Sequence, residues 1–356
     1  MRRNAHYSPL GDRTNAARIR FASSSHWTNR RPSMRMVCMT FEATKWVACD
    51  EPAQAAGPVV RAALAGRLGA VEHYLEPTSP DEAHDPEHVH QLRVATRRAN
   101  AAVRAFGEFL PRGKAKKLRR LLREIRRAAG EARDQDVMAM RCSNRCEEGD
   151  AAAQDWLWSR IVDARRAAYP AVDDVYRQYA AGTFAEKAEK LLASLRWRGD
   201  GDEPTFAAVA SEGLARAADE FFPESRSRPK RAAKLHRLRI AAKRFRYAIE
   251  LFAAAAPAFR DDVYPAIEEI QERLGKANDH AVAAERIASW EKGHAAKGSA
   301  LPKGVDRIVK REKKKASAAR RAFHEWWTAD RAEAVESRYA EIIKAAIRTA
   351  ENTGSP

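Results

Sequence analysis

The chain has 356 residues and a formal net charge of +17, with 65 lysines and arginines against 48 aspartates and glutamates. Glycine (17) and proline (16) are sparse, which favours helices over sheets, and no apolar run is long enough to cross a bilayer. We therefore expect an all-α cytoplasmic protein and exclude an integral membrane protein. The positive charge favours a phosphate-rich partner, in nucleic acid, in lipid headgroups or in free polyphosphate.

The amino-terminal residues 1–54 are rich in arginine and serine. This composition is superficially typical of an organelle transit peptide, but we expect a disordered extension, or a start codon set too early with Met36 or Met39 as the true start. The four cysteines, Cys38, Cys49, Cys142 and Cys146, lack the density of a disulfide scaffold and predict reduced thiols.

Helical patterning begins near Ala55 and is predicted to continue to residue 345, followed by a short tail at 346–356. A Pro- and Asp-rich turn precedes a long helix that should begin near Pro86 or Glu87. A further break near Gly199 to Pro204 divides the domain into a first half, about 55–198, and a second half, about 205–345. The amphipathic stretches in each half have the length of bundle helices.

The two halves carry an internal repeat. HQLRVATRRANAAVRAF, at 90–106, aligns without gaps to HRLRIAAKRFRYAIELF, at 236–252. Downstream, GEARD at 130–134 matches GKAND at 275–279. Two related helical halves are therefore predicted.

One face of each repeated helix is cationic and the opposite face is apolar. His90, Arg93, Arg97 and Arg104 fall on one side of the first helix, whereas Glu250 replaces the last of these cations in the second. A second basic face follows within 112–127. Charged helix faces are usually just solvated, but here the balancing acids are missing, which favours an anionic ligand. The candidate anion-binding residues are His90, Arg93, Arg97, Arg98, Arg104, Lys116, Arg119, Arg120, Arg123, Arg127, Arg133, His236, Arg239, Lys243, Arg244 and Arg246.

Asp134 and Asp279 follow the matched glycines and are expected to orient these cations or to cap a helix. A metal site is the alternative, because His84, His88 and His90 lie close together and Cys142 is four residues from a second cysteine. No HExxH helix or contiguous His-Asp pair accompanies them. We expect no metal and no cofactor.

The strings VHQLRVATRR, RRAAGEARDQDV, KLHRLRIAAKRFRYAIELF and IQERLGKANDH resemble a CHAD domain, the conserved-histidine α-helical domain. The resemblance covers about Ala55 to Ala345. It implies two pseudo-symmetric four-helix bundles around a central basic cavity that binds inorganic polyphosphate. Many members are fused to a CYTH triphosphatase with the signature ExExK, which this sequence lacks.

The sequence thus predicts a non-enzymatic polyphosphate-binding protein, associated with polyphosphate granules in the cell. Two alternatives stay open. The same charges would attract DNA or RNA. An enzyme that hydrolyses phosphoanhydrides with a metal ion would use the cations to stabilise charge, although no nucleophile or metal cradle is evident. The oligomeric state cannot be read from the sequence.

Overall fold

The computed structural model describes residues 44–142, 151–179, 182–296 and 300–353. Within these residues the fold is all-α, with no strand, as predicted; an isolated bridge joins Ala55 and Thr205. The α-helices are α1 Ala56–Leu75, α2 Pro80–Ala83, α3 Pro86–Ala105, α4 Arg112–Cys142, α5 Ala151–Tyr179, α6 Thr183–Leu192, α7 Phe206–Arg226, α8 Ala232–Phe252, α9 Tyr264–Ala295, α10 Val305–Trp326 and α11 Ala329–Thr353. None of the described helices is both long and apolar enough to cross a membrane.

Helix α3 begins where the sequence predicts it. Asp85 is the N-cap residue, and its carboxylate accepts a hydrogen bond of 2.7 Å from the backbone N–H of Glu87. Pro86 occupies the first helical position, where its missing N–H costs nothing. These caps fix the start of the helix that carries the first cationic face.

The order of helix packing is the same in the two halves of the repeat. In the first half α1 packs on α3, α3 on α4 and α4 on α5; in the second half α7 packs on α8, α8 on α9 and α9 on α10. Helices α6 and α11 fold back onto α1 and α7. Helix α3 also contacts α8, which brings the two repeated cationic helices together.

The hydrophobic cores do not divide at the predicted boundary between the halves. The larger core runs across both halves, and the rings of Phe106 and Phe252 meet edge to face within it at 5.7 Å. A second core lies where the distal parts of α4 and α9 pack with α5 and α10, and it includes Met138, Leu157 and Ile287. Helix α4 has 31 residues and is about 46 Å long, so it extends past the larger core.

Described residues on both sides of the predicted limits, 55 and 345, join the helical domain, whose first helix begins at Ala56. Residues 44–54, expected in a disordered extension, pack on the domain: the buried Arg67 donates hydrogen bonds of 2.7 and 2.8 Å to the carbonyls of Thr44 and Lys45. The backbone N–H of Val47 bonds the carbonyl of Glu250 at 3.1 Å. Helix α11 continues to Thr353 rather than ending near 345. Residues 1–43 lie outside the described residues.

Candidate anion-binding site

Helices α3, α4, α7 and α8 surround a pocket of about 650 Å³. The cationic faces of α3 and α8, which come from the two copies of the repeat, both contribute to its wall. The charged residues that line it are Arg97, Arg104, Arg119, Arg126, Arg216, Glu220, Lys243 and Arg244. The repeat therefore brings cations that are about 146 residues apart in the chain into one cavity.

Arg97 and Lys243 occupy matched positions of the repeat and are half-buried in this pocket. Burial, together with the charges of Arg97, Arg239 and Arg93, lowers the pKa of Lys243 to about 6. Burial and the charge of Arg93 likewise lower the pKa of Arg97 to about 10. Each positive charge here is costly without a partner anion, because both desolvation and like charges oppose it.

Arg93 and Arg239 form a second matched pair next to the pocket. Arg93 Nη1 is 3.0 Å from an oxygen of Asp134, and the carboxylates of Asp279 and Asp134 both lie close enough to act on the charge of Arg239. Asp134 thus pairs directly with Arg93, and an orienting role for the two aspartates stays a prediction. The Nε atoms of Arg93 and Arg239 are nevertheless buried and have no hydrogen-bond partner within the described parts of the chain.

The two matched histidines differ in their surroundings. His90 is half-buried, and burial followed by the nearby charge of Arg133 lowers its pKa. Arg133 donates a hydrogen bond of 3.1 Å to the carbonyl of Pro86, at the start of α3. His236 is exposed at the start of α8. A neutral His90 beside arginines can donate a hydrogen bond to an anion without adding a charge.

Arg104 of α3 and Arg244 of α8 lie in the part of the pocket next to α7. Glu220 of α7 is 3.4 Å from Arg104 Nη2 and 2.6 Å from Arg244 Nη1. Arg119 enters the pocket from α4, and its Nε donates to Asn100 Oδ1 at 3.4 Å. This end of the pocket therefore contains paired cations, unlike the end around Lys243.

The basic face predicted on α4 is divided between the pocket and the solvent. Arg119 lines the pocket, whereas Lys116, Arg120, Arg123 and Arg127 are exposed. Arg120 lies near Tyr179 of α5, on another side of the helix. The four exposed cations contribute to the surrounding field, but the structure does not place them among the pocket residues.

Arg98 and Arg246 belong to a buried ion-pair cluster instead of the pocket. Glu250 is 1% exposed and accepts hydrogen bonds of 2.8 and 3.3 Å from Arg98, and Tyr264 donates to it at 2.9 Å. Arg246 Nε lies 3.6 Å from the same carboxylate. The sequence analysis counted both arginines among the candidate anion-binding residues, but in the structure they lie against the core carboxylate of Glu250.

The sequence analysis missed several pocket residues, among them Arg126, Tyr247, Arg216 and Glu220. Arg126, half-buried, is seven residues from both Arg119 and Arg133, a spacing that returns to the same face of α4 and would have revealed it. Tyr247 adds an aromatic ring to the wall. Arg216 lies on α7, which carries no part of the repeated strings, so the sequence held no signal for it.

A second cavity, of about 580 Å³, lies among α4, α5 and α9. Its described lining contains Glu131 and Glu285 with one cation, Arg286, and the ring of Trp290. This charge does not suit a polyanion. The described residues also contain no group of three or more His, Cys, Asp or Glu side chains placed to hold a metal ion; Cys146 lies outside the described residues.

Comparison with known sequences identifies the family. The sequence profile of the CHAD domain matches residues 62–288. The chain belongs to the CHAD domain family. The matched range contains all the charged residues of the pocket and both aspartates of the Arg93 and Arg239 pair. No curated protein matches the chain significantly.

Solved structures share the CHAD fold. The chain is similar to the crystal structure of the CHAD domain from the plant Ricinus communis, with a TM-score of 0.57 and 22% identity over 84% of this chain and 95% of that one. It is also similar to PptA from Streptomyces chartreusis, with a TM-score of 0.55 and 18% identity over 77% of this chain and 99% of that one. At these identities the likeness concerns the fold.

Proposed function

We propose that this CHAD protein binds inorganic polyphosphate in the pocket between α3, α4, α7 and α8. The observation that carries the proposal is the convergence of Arg97 and Lys243, with Arg93 and Arg239 beside them, at the junction of the two repeats. A bound anion would offset the burial and the repulsion by like charges that together lower the pKa of Lys243 to about 6. The resemblance to polyphosphate-binding CHAD domains supports the same ligand.

The spacing of the cations favours a chain of phosphates over a single one. Arg93 and Arg104 are eleven residues apart on α3, which corresponds to about 16 Å along the helix. Further cations face the pocket from α4 and α8. Arginines can grip phosphate oxygens with two hydrogen bonds, whereas Lys243 supplies a point charge, so the mixture suits a repeating ligand without a fixed geometry.

Competition with nucleic acids tests the ligand class. We expect long-chain polyphosphate to bind at near-physiological salt, and DNA and RNA of equal charge to displace it poorly. Tyr247 and Phe252 are the aromatic residues of the described pocket wall, and Phe252 is 1% exposed, so little aromatic surface is open to base stacking. Nucleic acid binding that equals or exceeds polyphosphate binding would instead favour the nucleic-acid alternative.

We further propose that the protein acts as a binding module and not as an enzyme. The pocket walls supply cations that would stabilise phosphate charge. The described residues that line the pocket include no serine, threonine or cysteine that could act as a nucleophile. A phosphate-release assay with magnesium or manganese tests this, and sustained release from polyphosphate that an Arg97→Ala change abolishes would contradict it.

Binding would recruit the protein to polyphosphate granules in the cytoplasm. Fluorescence imaging of the tagged protein in granule-bearing cells should show it on the granules, and the Arg97→Ala/Lys243→Ala variant should be diffuse. A diffuse wild-type signal in such cells would contradict recruitment to granules, but it would not contradict polyphosphate binding by the pocket.

A further inference from the structure

Glu220 is the acidic residue among the described residues that line the pocket. Every other charged residue among those that line it is an arginine or a lysine. Glu220 reaches in from α7 and bridges two cations that come from different halves of the repeat, Arg104 at 3.4 Å and Arg244 at 2.6 Å. In this position the carboxylate forms ion pairs with the two arginines, as a phosphate group of the ligand would.

We propose that Glu220 is an internal competitor of the ligand: it occupies Arg104 and Arg244 until a polyanion displaces it, and so limits how far along the pocket a chain can bind. This inference rests on the proposed function. It assigns to one acidic side chain the role of setting affinity and chain-length preference, by electrostatic competition for cations that the ligand also needs.

The exposure of the three side chains supports displacement. Arg104, Arg244 and Glu220 have 52%, 50% and 39% of their side-chain surface exposed. Ion pairs that are screened by water in this way are weak, and a polyphosphate chain with many charges can replace one carboxylate. Glu250 is the contrast, because it is 1% exposed and held by Arg98 and Tyr264 within the core.

The position of the pair predicts a dependence on ligand length. Arg97 and Arg104 are seven residues apart, about 10 Å along α3. A short anion held between Arg97 and Lys243 need not reach the Glu220 pair, whereas a long chain along the pocket must compete with it. Loss of the Glu220 charge should therefore favour long chains more than short ones.

The matched control is Glu224, one turn later on the same helix. Glu224 also pairs with an arginine of α8, Arg237 at 3.0 Å, but neither residue lines the pocket. Glu220→Gln and Glu224→Gln remove the same charge from the same helix and leave side chains of the same shape. A difference between them reports the local competition and not the net charge.

The experiment is calorimetric titration of wild type and both variants with long-chain polyphosphate and with pyrophosphate. We expect Glu220→Gln to bind the long chain about threefold to tenfold tighter than Glu224→Gln does, and pyrophosphate less than about twofold tighter. In an Arg104→Ala/Arg244→Ala background the gain should vanish. Glu220→Ala should repeat the gain if the glutamine variant is impaired in folding.

Weaker long-chain binding by Glu220→Gln would overturn the inference and make Glu220 a residue that orients the two arginines. Equal binding by the two variants would also overturn it. Failure of the proposed function looks different: the wild type would then prefer DNA or RNA, and the same comparison of Glu220→Gln with Glu224→Gln on that nucleic acid would still decide whether Glu220 competes.

Discussion

Arg97 and Lys243, which are equivalent in the two copies of the repeat, lie at one junction where each half supplies a half-buried basic side chain to the same pocket. The charge of Arg97 is the largest effect on the pKa of Lys243 after burial itself. The internal repeat of the sequence thus places basic side chains from both halves close together in the fold. That concentration of basic side chains disfavours the empty pocket and favours an anionic ligand.

Binding should be coupled to proton uptake at Lys243. Its pKa in the folded protein is about 6, and a bound polyanion should raise it towards the ordinary value of 10.5. Near pH 7.5 the ligand should therefore bind together with up to about one proton, and affinity should fall as pH rises above about 6. Calorimetry in buffers of different ionisation enthalpy measures the uptake; Lys243→Met should lose it, and equal uptake by the two proteins would contradict the assignment.

The same residue should affect the stability of the ligand-free protein. Between about pH 6 and pH 10.5 the unfolded chain holds a proton on Lys243 that the folded chain does not. This group therefore makes the folded state more stable as pH rises through that window, and the full penalty is present below pH 6. Urea unfolding at several pH values should show a steeper rise for wild type than for Lys243→Met.

Arg126 and Arg127 are neighbours on α4 with different predicted effects. Arg126 is half-buried in the pocket, and Arg127 is exposed. Arg126→Ala should weaken polyphosphate binding by about tenfold or more, because charge-assisted hydrogen bonds are the strong ones, whereas Arg127→Ala should weaken it less than about twofold. Direct titration of both variants at one salt concentration makes the comparison; similar losses would mean that net charge alone governs binding.

Glu250 should matter for stability. Glu250→Gln leaves the buried guanidinium of Arg98 without its carboxylate, with Arg246 and Arg67 close by, and should lower the free energy of unfolding by about 3 to 5 kcal/mol. Glu186→Gln, which disturbs an exposed pair with Lys190, should change it by less than about 0.5 kcal/mol. If Arg98→Met left stability intact and abolished polyphosphate binding, Arg98 would belong to the site after all.

Gly213 permits close packing of α7 on α8. A Cβ atom at Gly213 would clash with the ring of the buried Phe252. Gly213→Ala should therefore destabilise the fold by about 1 to 3 kcal/mol despite the better helix propensity of alanine. Gly66→Ala in α1, where a Cβ meets nothing within 4 Å, should instead be neutral or stabilising by up to about 1 kcal/mol. Thermal unfolding of the two variants tests the difference in sign.

The all-α class, the start of α3 and the cationic faces of the repeated helices follow from information that is local in the sequence. Capping at Asp85 and the spacing of Arg93 and Arg97 need no knowledge of the tertiary fold. The ion pair of Arg98 does depend on the tertiary fold. Its partner Glu250 lies 152 residues away in the chain and can be recognised only once α3 packs on α8.

The pocket residues Arg216 and Glu220 also depend on the tertiary fold. They lie on α7, where the sequence shows an ordinary amphipathic helix with mixed charges. Only the packing of α7 on α8 brings Glu220 against Arg244. The same holds for residues 44–54, because only the folded structure brings the carbonyls of Thr44 and Lys45 within hydrogen-bond distance of the buried Arg67.

The most direct test is the affinity for long-chain polyphosphate of two variants that each lose four basic side chains. One changes Arg93, Arg97, Arg239 and Lys243 to alanine. The other changes the exposed α10 residues Lys310, Lys313, Lys314 and Arg321 to alanine. If the polyanion binds in the pocket, the first variant should lose affinity by at least about 100-fold while remaining folded, and the second by only a few-fold. Equal losses in the two variants would contradict a specific site between the repeats.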